Sequence, residues 1–147
     1  MRIGEITKSK TLYELEKWAT SNVSLLEDGM SVEKVSNTLL QKAVDKFKRQ
    51  PEPSEEKTEE MQDYMDKLEM KLGNEKVEKT TLQKFFGFFR KHPRMIGLGV
   101  IILMLLSPML PSIAVIGLSL EKLLSMILAG LYAIDIASPA VKTAMEL

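Results

Sequence analysis

Residues 95–120 read MIGLGVIILMLLSPMLPSIAVIGLSL, 26 positions without a charge in a chain that is 27% charged overall. As one helix the stretch would reach about 39 Å against a hydrocarbon thickness of roughly 30 Å, so by length it can cross a bilayer. Pro108 and Pro111 interrupt it, each removing a backbone donor and obstructing the preceding turn. Ser107, ahead of a proline, is biased away from helix, and Ser112 suits the cap of a new one. The pattern predicts a helix break over 107–112, with a first helix from Arg94 to Leu106 and a second from Ser112 to Ile136, stopped by Pro139. A single span kinked at the prolines is the competing geometry.

The second helix carries Glu121, Lys122 and Asp135. A charge at mid-bilayer costs about 2.5 to 3.5 kcal/mol on insertion scales, so these groups should face protein or water. Gly117, Glu121, Ser125, Ala129 and Ala133 fall on one line at intervals of four. Small residues at that spacing let helices approach closely, which makes the line a candidate oligomer or lumen face. Glu121 and Lys122 at a membrane surface are the plainer alternative. Ile113, Ile116, Leu120, Leu123, Leu124, Ile127, Leu131 and Ile134 form a wide apolar side for lipid or a partner.

Directly before the apolar run stands LQKFFGFFRKHPR. Phe85, Phe86, Phe88 and Phe89 are bracketed by Lys84 and by Arg90, Lys91 and Arg94, with no acid over 81–94. Rings beside cations suit the headgroup layer, so these eight residues are the candidate membrane interface. The positive-inside bias would hold residues 1–94 on the cytoplasmic side of a membrane. Burial of the rings in a protein core is the alternative.

The N-terminal part reads as helices joined by turns. Thr11 and Glu14 make a capping box ahead of Leu12, Leu15, Trp18 and Ala19. Ser31 can cap a second helix, in which Val32, Val35, Leu39, Ala43 and Phe47 recur until Pro51. The proline-containing, acid-rich 51–60 reads as a solvated linker. Beyond it Met61, Tyr64, Leu68 and Leu72 mark a thinly apolar amphipathic helix ended by Gly73 and Asn74. The predicted class is all-α, short soluble amphipathic helices followed by a C-terminal hydrophobic helical hairpin. Its divisions are a small helical unit (1–50), the linker (51–60), an amphipathic helix and turn (61–80), the basic aromatic helix (81–94) and the hairpin (95–147). The contrast between 1–94 and 95–147 argues against one shared core.

Net charge is zero, from 20 basic and 20 acidic residues, so no general or sequence-specific nucleic-acid binding is expected. The charged N-terminus does not read as a secretory signal. With no cysteine, thiolate metal sites are excluded. The single histidine, His92, lies in the basic segment, and no phosphate loop, zinc motif or nucleophile elbow occurs, so no enzyme, metal or cofactor is expected.

Two classes remain: a membrane-inserting, oligomeric component, and a structural or adaptor subunit whose hydrophobic part is buried among proteins. The start MRIGEI, the cysteine-free helices rich in Lys and Glu and the terminal hydrophobic hairpin resemble the small internal, ejected virion proteins of tailed bacteriophages. That resemblance implies storage inside a virion, contact with other virion or membrane-complex subunits, and later passage into a host envelope to help form a DNA-conducting channel. A holin-like lysis protein is the neighbouring alternative.

Overall fold

The computed structural model describes residues 10–21, 31–50, 54–74, 77–115 and 117–137. Among them the chain is helical and holds no strand. The helices are α1 (Lys10–Ser21), α2 (Val32–Arg49), α3 (Glu55–Asn74), α4 (Lys79–Lys91), α5 (Ile96–Leu106), α6 (Leu110–Val115) and α7 (Leu120–Ala137). Short 3-10 turns, Pro93–Met95 and Ser107–Met109, stand before and after α5.

Local chemistry accounts for most boundaries. Ser31 Oγ accepts the amide of Lys34 at 3.1 Å and opens α2, which closes at Gln50 before Pro51. Ser54 does the same for Lys57 at 3.3 Å, and Glu55 and Glu56 then sit in the positive first turn of α3. The predicted linker is therefore shorter than 51–60: residues 55–60 are helical. α1 begins at Lys10, so Thr11 lies inside its first turn rather than at its cap.

The break over 107–112 is mild. Ser107 keeps helical dihedrals (φ −53°, ψ −50°) despite the proline after it. Pro108 enters at the start of a 3-10 turn, where its missing donor leaves little unsatisfied. Pro111 falls in the first turn of α6. The larger interruption comes later, at Gly117, with φ +76°. The Leu118 amide donates to the Ile113 carbonyl at 3.1 Å, a Schellman closure that needs a left-handed residue at 117. α7 then starts afresh, with Ser119 Oγ accepting the Lys122 amide at 3.3 Å. The predicted 112–136 helix is thus two helices, because a glycine in αL ends one and a serine starts the next.

α5 is the centre of the molecule. All eleven of its residues are buried, and α1, α2, α3 and α4 pack around it. α7 lies outside this sheath, mainly against α2 and α4. Leu12, Leu15, Leu39, Ala43, Met65, Leu72 and Phe89 belong to the same hydrophobic cluster as α5 and as Leu123, Ile127 and Leu131 of α7. The two parts predicted to have separate cores share one. The reason is supply and demand: each amphipathic helix has one apolar side, and α5 is apolar all round.

Candidate functional site

The predicted interface segment is α4. Its phenylalanines do not face solvent: Phe85, Phe86, Phe88 and Phe89 are all buried. They form an edge-to-face cluster, with centroids 5.5 Å apart for Phe85 and Phe86, 5.4 Å for Phe85 and Phe89 and 5.1 Å for Phe88 and Phe89. Phe89 reaches α5 at Gly99, where a Cβ would stand 2.9 Å from the ring. Phe88 meets Tyr132 of α7 at 5.1 Å. In this state the rings belong to the core, and the arrangement follows the alternative noted for them above.

The cations of the same segment behave differently. Lys84, Arg90, Lys91 and Arg94 are exposed. Arg90 is engaged by α3: its guanidinium donates to Asp66 at 3.2 Å and also to Glu69. Exposed pairs of this kind contribute about 0 to 1 kcal/mol each, so they register α4 on α3 more than they hold the fold. Between Glu78 and Glu121 the chain has no acidic residue.

At the end of α4 the chain turns sharply. The His92 amide closes the helix on the Phe88 carbonyl at 3.1 Å, and Pro93 starts the next turn. α4 and the helical run Pro93–Met109 meet with a bend of 104°. The imidazole of His92 lies against Phe88, centroids 4.8 Å apart, and its Nδ1 is buried without a hydrogen-bond partner among the described residues. No single described helix is long and apolar enough to cross a membrane, but the two helices of this bent pair together have the length and apolar composition to do so.

The line of small residues on α7 is split by the structure. Gly117 lies in the turn before the helix. Glu121 is half-buried, and its Oε1 accepts the Glu78 amide at 2.9 Å across the start of α4. A charged side chain in the apolar half therefore caps a neighbouring helix whose own N-cap residue supplies no side-chain bond. Ser125, Ala129 and Ala133 are exposed. The first two, with Thr81, Lys84, Leu128 and Tyr132, line an open groove of about 320 Å³ between α4 and α7. The apolar side predicted for lipid or a partner is occupied: Leu123, Leu124, Ile127 and Leu131 are buried. The side chains of Ile134 and Asp135 lie outside the described residues.

Several features of this region were not predicted. Glu121 as a cap for α4, the Arg90 clasp and the seating of Phe89 over Gly99 join positions far apart in the chain, and no local pattern signals them. Met65 is fully buried beside Gly99 and shares the face of Met61, Leu68 and Leu72, four positions after the first and three before the second. Tyr64, half-buried on α3, has its phenol pKa pushed up to about 12 by burial and then by the Glu16 carboxylate. Among the described residues no group of three or more His, Cys, Asp or Glu could hold a metal ion. Comparison with known protein families, curated proteins and solved structures finds no match to this chain.

Proposed function

We propose that this chain is a non-enzymatic protein that carries a membrane-active helix in a sheathed state and delivers it to a bilayer. The observation that supports this most is α5, apolar on every side and wrapped by four helices of mixed polarity. A helix of that kind is stable in only two settings, a protein core or lipid. Exposing its seven Leu and Ile side chains to water would cost about 10 to 20 kcal/mol at roughly 1.5 to 3 kcal/mol each, as much as the whole stability of a small domain or more. A bilayer removes that cost, so contact with lipid is the event that opens the sheath.

In the opened state α5 and α7 enter as a hydrophobic hairpin, and copies meet along the Ser125, Ala129 and Ala133 side. The likeness to ejected virion proteins gives this cycle a setting: the sheathed form is stored in a phage particle, and the open form helps line a channel for DNA in the host envelope. The adaptor reading has its own support in the α4–α7 groove, where Tyr132 remains 55% exposed and Ser125 and Ala129 leave room for a partner helix.

Flotation with anionic vesicles, paired with dye release, separates the two. The chain has no cysteine, so a short bis-maleimide across Phe47→Cys and Gly97→Cys can tie α2 to α5, which meet where a Cβ at 97 lies 3.6 Å from the Phe47 ring. The wild-type protein and the variant without crosslinker are expected to bind and release dye, and the crosslinked variant to release none. A wild-type chain that neither floats nor releases dye overturns the membrane reading and leaves the adaptor.

A further inference from the structure

We infer that α4 and α5 form a pre-bent docking unit for an anionic bilayer, with α4 lying in the headgroup layer and α5 descending from it along the membrane normal. The inference rests on the membrane reading above and names the segment that enters first and its orientation. Three observations carry it.

The first is the angle. A bend of 104° at His92 and Pro93 lies within 14° of a right angle, so one helix can lie flat while the other points inward. The second is the distribution of side chains around the bend. Phe89 sits on α5 at Gly99, inside the elbow, whereas Lys91 and Arg94 are exposed at its corner. With α5 directed into the acyl layer, the inner side of α4 meets hydrocarbon and the corner cations stay level with the phosphates. The third is charge. The 42 positions 79–120 contain five Lys and Arg residues and no Asp or Glu. An anionic surface therefore attracts this unit and nothing within it opposes the approach.

Length sets the depth. From the corner, α5 and the turn after it place Ser107 about 20 Å down, past the roughly 15 Å from headgroup boundary to bilayer centre. Gly87 on α4 stays near the surface, and a Cβ there meets nothing within 4 Å, so a label is accommodated.

The test uses single Gly87→Cys and Ser107→Cys variants of the full chain, each carrying an environment-sensitive dye, on anionic vesicles with quenchers at shallow or deep acyl positions. Residue 87 is expected to be quenched best by the shallow group and residue 107 by the deep one. If both report shallow positions, or both deep, the elbow is overturned while vesicle binding still stands. If unlabelled protein does not float at all, the membrane reading itself fails and the elbow with it. A second measurement is independent of the labels. Lys91→Gln with Arg94→Gln, both at exposed sites, should weaken anionic-vesicle binding about 25-fold at low salt, at about fivefold per cation. Unchanged binding by that variant also overturns the proposal.

Discussion

α5 and α7 come from the same hydrophobic half of the chain and end in opposite situations. α5 is buried on all sides, with no polar side chain in eleven residues. α7 buries Leu123, Leu124, Ile127 and Leu131 on one side and exposes Ser125, Met126, Ala129 and Tyr132 on the other. Hydrophobic content alone does not separate a centre from a cover. What separates them is whether the apolar positions close the circle or leave a gap of small and polar residues, because a gap must face water, a groove or another chain.

The sharpest way to break this comparison is to put the same polar group on each helix. Ile102→Asn leaves an amide inside the sheath with nothing to bond, and a loss of about 4 kcal/mol or more is expected, enough to abolish a cooperative thermal transition. Ala129→Asn on α7 stays in the groove and should cost about 0.7 kcal/mol, the helix propensity lost in replacing alanine. Equal effects would mean that α7 is as enclosed as α5. Next in size is the seam between α4 and α5. Gly99→Val would drive side-chain atoms into Phe89 and into Met65 Cε, which already lies 3.1 Å from a Cβ at 99. Chemical denaturation should register about 1 to 3 kcal/mol lost, the usual cost of overpacking.

The smallest effect lies at the half-buried Tyr64 of α3. The Tyr64 phenol ionises near 10 in the unfolded chain and at about 12 in the folded one. Its contribution to stability is therefore fully present below pH 10 and lost as the pH climbs towards 12. Following phenolate absorbance, one of the three tyrosines should titrate late, and Tyr64→Phe should remove that late phase.

Much of this was legible in the residues. Ser31 and Pro51 bound α2 as read, because a cap and a proline act on the nearest few amides. The prolines at 108 and 111 interrupt the helix as their positions imply but do not stop it, since a 3-10 turn absorbs Pro108 and the first turn of α6 absorbs Pro111. The candidate site was legible only in part. The basic aromatic composition of α4 was plain, but where its rings go depends on α5 and α7 arriving beside them. Glu121 illustrates the limit: spacing placed it on a line of small residues, and its carboxylate instead bonds an amide 43 positions earlier in the chain.

By itself, the sequence determined the helical class, both ends of α2 and the presence of one segment too apolar for water. These depend on periodicity, caps and composition, which act within a few residues. Only the tertiary structure decided that this segment is enclosed by its own chain, that the phenylalanines of α4 turn inward while its cations stay out, and that the two helices meet near a right angle. Those outcomes follow from which apolar faces find one another across long separations, and burial has no direction until the partners are in place.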